Sequence, residues 1–285
     1  MRSTALRAGS ARRTITSMDR LGYSPPSSLI RAVRLEHGLA SSVDETLAEE
    51  TPVTFAYNGV SHAVMMATPS DLEDFAIGFS LTEGLIDRAD EVTSIAVVRY
   101  SRGVELQLET SVEVASETRR RRLSGRSGCG ICGMEDVEQV LRALPSVVSG
   151  TRFAASAISR AMRELAARQP LNDTTGAVHA AGWSDSEGAI LLVREDIGRH
   201  NALDKLVGAL TRSSVDAASG FIVLTSRGSF ELVQKAAVLG ATLVATVSAP
   251  TGLAVRMAAD AGITLAGFAR DGRVTVYTHP ERVSP

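Results

Sequence analysis

Four strand-length apolar runs at 189–193, 220–225, 241–247 and 263–268 alternate with segments of helical spacing at 196–210, 230–239 and 253–261. This alternation constrains the fold more than any other feature. A strand that leads into a helix pairs again only after a crossover, so repetition of the unit predicts a parallel or mixed sheet with helices on its faces. A last run, 274–278, returns as a hairpin around Arg270, Asp271 and Gly272. The expected fold class is therefore α/β, a mixed sheet with flanking helices spanning a domain at residues 151–285, with a helix at 156–168 leading into it.

The first half follows a different grammar. Runs at 53–57 and 60–66 flank Asn58-Gly59, the dipeptide suited to two-residue hairpins because both central positions need positive φ. Ser70 then opens a helix, with Glu73 three residues on in capping-box position and Leu72, Phe75, Ala76 and Phe79 at helical spacing before Gly84. A second hairpin, 92–100 with 104–108, turns at Ser101-Arg102-Gly103. Residues 29–150 thus read as a smaller, antiparallel α+β region, with another helix starting near Glu135. Residues 1–28, with Arg2, Arg7, Arg12 and Arg13 and no acidic group in the first seventeen, read as a disordered basic extension.

Composition narrows the function classes. A length of 285 residues suits two modest domains, and 44% apolar with 4% aromatic residues implies a core of Ala, Val and Leu. The formal net charge of −2 gives no reason to expect nucleic-acid binding or attraction to a membrane surface. No run approaches the ~18 apolar residues of a spanning helix. The reading is a cytoplasmic protein.

Both cysteines of the chain lie in one hexapeptide, Gly128-Cys129-Gly130-Ile131-Cys132-Gly133. No second cysteine pair and no H-x3-5-H arrangement accompanies it, so zinc-finger and disulfide-scaffold readings fail. The glycines favour access over packing. Arg119, Arg120, Arg121, Arg122 and Arg126 lead into this segment, at about 111–134, and positive charge lowers a thiol pKa and enlarges the thiolate fraction. A reducing compartment keeps such a pair available for chemistry.

Ligands of open α/β sheets bind beyond the carboxyl ends of the strands, where helix N-termini offer free N–H groups. Three junctions carry polar residues there: Arg194 to Asn201, including Glu195, Asp196, Arg199 and His200; Ser226-Arg227-Gly228-Ser229; and Ser248 to Gly252. The second reads either as an anion cradle or as ordinary helix capping. The first reads as a salt-bridged helix face or as a site built around His200. Asn172 to Gly176, leading into His179, reads as turn chemistry or ligand contact.

Taken in order and spacing, Cys129 to Gly133, Gly176 to Ala181, the twelve residues Arg194 to Lys205, Ser226 to Ser229, and Gly267-Phe268 through Tyr277-Thr278 resemble the FdhD family, over roughly residues 30 to 283. Gly228 stands where many members carry alanine and Gly252 where serine is common. The resemblance implies a sulfurtransferase required for formate dehydrogenase activity. Such a protein takes persulfide sulfur from a cysteine desulfurase and passes it to the molybdenum cofactor, Mo-bis(molybdopterin guanine dinucleotide), its bound acceptor substrate. It further implies a cytidine-deaminase-like fold and a homodimer. By position, the resemblance makes Cys129 the persulfide cysteine and Phe268, Ala269, Arg270, Asp271, Gly272 and Arg273 the cofactor-binding stretch. Ser226, Arg227 and His200 join them as candidate cofactor contacts, and Cys132 joins Cys129 as a candidate catalytic residue. The zinc-deaminase signature H-x-E with P-C-x-x-C is absent, so no catalytic zinc or structural metal is expected.

Two other functions fit a CxxC segment beside a nucleotide cradle. A thiol-disulfide oxidoreductase would turn over a dithiol without a desulfurase, although the arginine-rich approach matches the thioredoxin context poorly. A binding module would hold a guanine nucleotide or the cofactor and transfer nothing.

Overall fold

The computed structural model describes residues 25–114 and 144–285. Cys129, Cys132, the arginine run, the helix expected near Glu135 and most of the basic extension lie outside the described residues.

The described chain opens with a ribbon that hydrophobic patterning did not disclose. Strands β1 (Ser27–Glu36) and β2 (Leu39–Ala48) pair antiparallel along their whole length, turning at His37 and Gly38, both at positive φ. Leu29, Val33, Leu35 and Leu39 on it are between 68% and 76% exposed. Leu29, Val33 and Leu35 fall at odd positions on one face of β1, a face open to solvent in the chain itself.

A four-stranded sheet follows, formed by β3 (Thr51–Tyr57), β4 (Val60–Ala67), β5 (Val92–Tyr100) and β6 (Gly103–Thr110) in the order β4-β3-β6-β5. Both expected hairpins form, the first with Asn58 and Gly59 at φ 48° and 78°. The antiparallel expectation needs correction, because β3 and β6 pair parallel. Each hairpin is local, whereas their junction is a long-range pairing that no local pattern encodes. In the second hairpin Gly103 belongs to the strand, since Tyr100 pairs with it directly. A Cβ there would come within 2.8 Å of the Pro52 carbonyl oxygen on β3.

Helix α1 (Leu72–Thr82) packs on this sheet through Phe75 and Phe79, whose rings meet Phe55 at 5.0 and 4.1 Å. The expected capping box is absent. The N-cap residue is Asp71, in left-handed conformation and without a side-chain cap, and the Glu73 carboxylate instead accepts from Arg212 at 2.8 Å.

The second half contains α2 (Ala155–Ala166), α3 (Pro170–Thr175), β8 (His179–Asp185), β9 (Ile190–Asp196), α4 (Arg199–Arg212), β10 (Gly220–Leu224), α5 (Phe230–Leu239), β11 (Leu243–Thr246), α6 (Gly252–Ala261), β12 (Thr264–Arg270) and β13 (Arg273–Val276). Short strands β7 (Phe153–Ala154) and β14 (Val283–Ser284) pair beside it. The large sheet is mixed, ordered β13-β12-β11-β10-β8-β9, with β10, β11 and β12 mutually parallel. The expected mixed sheet with flanking helices is therefore present. The stretch leading into His179, expected as turn chemistry or ligand contact, instead opens strand β8, whose Ala-Ala-Gly core has little β preference of its own. Tertiary context sets it between β9 and β10, antiparallel to both.

Strand side chains alternate between two cores. Trp183, Ile222, Leu224, Val244 and Leu265 pack with α4, α5 and α6, whereas Phe221, Val223, Leu243, Ala245 and Ala266 pack with α2. Helix α1 crosses α4 at backbone contact. A Cβ on Gly78 would run into the Asp204 carbonyl, and one on Gly208 into the Asp74 carbonyl. Among the described residues no helix is long and apolar enough to cross a membrane.

Candidate functional site

Because β10, β11 and β12 are parallel, their carboxyl ends fall on one edge of the sheet. Antiparallel β8 begins there and β9 ends there, since His179 pairs with Asp196 and Ala181 with Leu224. The three junctions singled out in the sequence, together with Phe268 to Arg270, therefore line a single edge. Backbone bonds stitch it: Val247 N–H donates to the Leu224 carbonyl at 3.0 Å, Thr251 N–H to Gly228 at 2.8 Å and Phe268 N–H to Ser248 at 3.2 Å. Gly267 lets these loops close, because a Cβ on it would come within 2.8 Å of Pro250 Cδ.

Beneath the edge, two buried ion pairs anchor helix α4. Lys205 Nζ lies 2.7 Å from Asp196 Oδ2 and donates to the Thr68 carbonyl at 2.9 Å. The Asp196 carboxylate also accepts from Thr68 N–H at 3.0 Å, Gly198 N–H at 2.8 Å and Asn201 Nδ2 at 2.9 Å. One carboxylate thus fixes the turn into α4 and ties it to the end of β4. The second pair joins Lys235 of α5 to Asp204 at 2.8 Å, with Thr82 and Glu83 of α1 also accepting from Lys235 at 3.0 and 3.1 Å. Burial alone would lower the Lys235 pKa, but Asp204 and Glu83 hold the ammonium above its usual range. Arg194 and Arg212 grip the buried Asp74 carboxylate from two sides, both at 2.6 Å. The dense ionisable run at 194–205 is thus largely a clamp between α1 and the large sheet.

Above the clamps the chemistry is unfinished. His200 is 3% exposed, and its Nε2 sits 3.9 Å from Glu231 Oε2, beyond hydrogen-bond reach. His200 Nε2, Glu231 Oε2, Ser229 Oγ and Arg199 Nε are all buried and have no hydrogen-bond partner among the described residues. Native interiors leave few such atoms, and their gathering at the mouth of a sheet makes this edge the candidate ligand site. Burial pushes the Glu231 carboxyl up, yet the His200 imidazole and Ser229 hydroxyl lying beside it, with its own backbone N–H, outweigh burial and bring the group down to about 2. Burial, reinforced by Arg199 and His200, lowers the pKa of the neighbouring His179.

Ser226 is buried with its hydroxyl 3.1 Å from the Arg227 carbonyl, and Arg227 is exposed on the same junction. Across the edge, β12 bulges between Gly267 and Arg270. Phe268 is half-buried at φ 50°, and the Arg273 guanidinium lies 5.2 Å from its ring centroid. Arg270, Asp271, Gly272 and Arg273 are exposed, the middle two forming a left-handed turn. Ala269 is fully buried in the core under α2, so its side chain faces away from the edge. The structure brings His200, Ser226, Arg227 and the start of the 268–273 stretch to one edge. Cys129 and Cys132 fall outside the described residues.

Sequence reasoning missed Glu231. An acidic residue in the first turn after Ser229 reads as a partner for the helix dipole, and nothing local shows that His200, thirty-one positions earlier, faces it. Ser229 was seen only as part of its junction, with capping as one reading. As N-cap of α5 it makes no side-chain cap bond. Its free hydroxyl, the α5 N-terminus and the nearby arginine are donors suited to an oxyanion.

Comparison with known proteins gives one consistent result. A profile described as the FdhD/NarQ family matches residues 48–284. A protein named "Sulfur carrier protein FdhD" from Xanthomonas campestris pv. campestris (strain B100) is 53% identical over 261 residues, covering 90% of this chain and 93% of its own length. A protein of the same name from Bordetella petrii is 47% identical over 274 residues, covering 93% of this chain and 99% of its own. The crystal structure of a putative formate dehydrogenase accessory protein from Desulfotalea psychrophila superposes with TM-score 0.74 at 26% identity, over 91% of this chain and all of that one.

Proposed function

The chain belongs to the FdhD/NarQ family, and from that premise we propose that it is a sulfur carrier serving formate dehydrogenase. Cys129 receives sulfur from a cysteine desulfurase: its thiolate attacks the terminal sulfur of the donor persulfide, the donor S–S bond breaks, and the donor thiolate leaves without net oxidation. The acceptor is the molybdenum cofactor in its bis-guanine-dinucleotide form, a substrate held along the carboxyl edge. Cys132 relays the sulfur or attacks the inner sulfur of the Cys129 persulfide, breaking its S–S bond, expelling sulfide and leaving a Cys129–Cys132 disulfide.

One observation supports the acceptor reading most. The buried donors Arg199 Nε, His200 Nε2 and Ser229 Oγ, without partners among the described residues, share an edge with Arg227 and with Phe268 of the stretch the family resemblance implicates. Hydrogen-bond donors held at two helix starts, beside arginine forks, suit the phosphates of a dinucleotide. We place the protein in the cytoplasm, where a reducing environment keeps the thiol pair free. A homodimer is part of the same proposal, supported by the exposed apolar row Leu29, Val33 and Leu35, since a lone two-stranded ribbon is marginal without cover.

The test is restoration of formate dehydrogenase activity in cells lacking this protein. Wild type restores it, whereas Cys129→Ala and the Arg227→Gln/Arg270→Gln double variant do not, the latter also losing guanosine nucleotide binding. Full restoration by the double Cys129→Ala/Cys132→Ala variant would make the chain a binding module. Turnover of a dithiol substrate without desulfurase would make it an oxidoreductase.

A further inference from the structure

At the opposite end of the large sheet from the carboxyl edge lies a second polar cavity, of about 460 Å³, that the proposed function does not use. Its walls come from three places. Arg152 precedes β7, where buried Phe153 holds the backbone by packing its ring 5.2 Å from Phe221. Ser156, Arg160 and Arg163 stand at i, i+4 and i+7 on α2 and so form one stripe, opposite the buried face made by Ile158, Ala161 and Leu165. Ser186 and Glu187 belong to the β8–β9 turn.

The walls are firmly set. Asp185 Oδ1 accepts from Glu187 N–H at 3.0 Å and Ala189 N–H at 2.8 Å, which fixes the turn. Gly188, at φ 84°, lies so close to α2 that a Cβ on it would run into the Ala157 carbonyl. The charge on these walls is unbalanced. Arg160 is engaged with Glu164 at 2.9 Å, but the guanidinium groups of Arg152 and Arg163 make no hydrogen bond or ion pair with another described residue. Among the described residues, Glu187 is the only acidic one in the lining. A chain with net charge −2 thus concentrates positive charge in one concavity, where low-dielectric walls strengthen the local field.

We propose that this cavity is a second anion site, for a phosphate-bearing small ligand. Its volume falls in the range of small-molecule pockets, roughly 300–1,000 Å³. Its donors outnumber what a carboxylate accepts: two guanidinium forks and two hydroxyls saturate the three terminal oxygens of a phosphomonoester, whereas a carboxylate offers about four lone-pair sites. The site stands on geometry separate from the carboxyl edge and is independent of the sulfur-carrier reading.

The experiment is calorimetric titration of the full chain with inorganic phosphate in about 0.15 M chloride, where attraction between exposed charges is screened beyond about 8 Å. Wild type and Arg227→Gln are expected to bind one phosphate at this site with equal affinity. Arg152→Gln/Arg163→Gln, changed only at exposed side chains, is expected to bind about tenfold more weakly or worse, a loss of about 1.4 kcal/mol or more. Loss in Arg227→Gln with retention in the Arg152/Arg163 double variant would reassign the anion to the carboxyl edge and overturn the proposal. Absence of saturable binding to wild type, or saturable binding of an oligoglutamate peptide in preference to phosphate, would overturn it as well.

Discussion

The two members of the Asp196–Lys205 pair are satisfied unequally, and the inequality fixes the order in which their substitutions do damage. The carboxylate accepts from three N–H donors besides the ammonium, at 2.8 to 3.0 Å. The ammonium has the Thr68 carbonyl at 2.9 Å, the Glu195 carbonyl only at 3.5 Å, and the Phe75 ring at 5.7 Å. Removing one partner of a buried pair costs on the order of 3–5 kcal/mol. Lys205→Met leaves a carboxylate still held by three hydrogen bonds, which places it near the lower limit, about 3 kcal/mol. Asp196→Asn leaves a buried ammonium with one firm acceptor. It also turns an amide NH2 toward N–H groups that themselves donate, so its cost lies near about 5 kcal/mol. The double variant removes the stranded charge and should cost at least about 1 kcal/mol less than the sum, as directly coupled sites do. Urea unfolding followed by circular dichroism, with the m-value constant across variants, measures all three. A Lys205→Met loss equal to or larger than that of Asp196→Asn, or strict additivity, would refute the reasoning.

Three further outcomes follow from the same geometry. Gly208→Ala, which drives a Cβ into the Asp74 carbonyl, should cost about 3 kcal/mol or more, the upper range for overpacking, because backbone cannot yield as a side chain does; denaturant midpoints check it. Glu231 is held at about 2 against its ordinary 4.5, so its contribution to stability is complete above that ordinary value and is lost as pH falls through the range down to about 2. Glu231→Gln should therefore flatten the acid limb of the thermal-stability profile, and an unchanged limb would place the shift elsewhere. Val33→Asp/Leu35→Asp on the exposed ribbon should yield a monomer by analytical ultracentrifugation without loss of fold, since neither side chain is buried in the chain itself.

Much of this was legible from sequence because the determinants were local. Strand-helix alternation from Ile190 onward and the Asn58-Gly59 turn express short-range grammar, and the structure follows it within a few residues. What escaped was long-range. The parallel pairing of β3 with β6, the placement of β8 between two partners, and the use of Glu73 as a ligand for Arg212 instead of a cap all depend on residues far away in the chain. The site divided the same way. Position after a strand brought His200, Ser226 and Arg227 to attention, whereas Glu231 acquired meaning only when α4 and α5 were set side by side. The run 194–205, which reads either as a salt-bridged helix face or as a site around His200, separates into two buried clamps and, at Arg199 and His200, buried nitrogens without a partner among the described residues.

The central claim is that Cys129 bears the sulfur in transit. Intact-mass measurement of the protein after incubation with a cysteine desulfurase and cysteine, followed by peptide mapping, tests it most directly. The account predicts one added sulfur that a thiol reductant removes, located on Cys129 and absent from Cys129→Ala. An undiminished sulfur adduct on Cys129→Ala, with dehydrogenase activation intact, would contradict it.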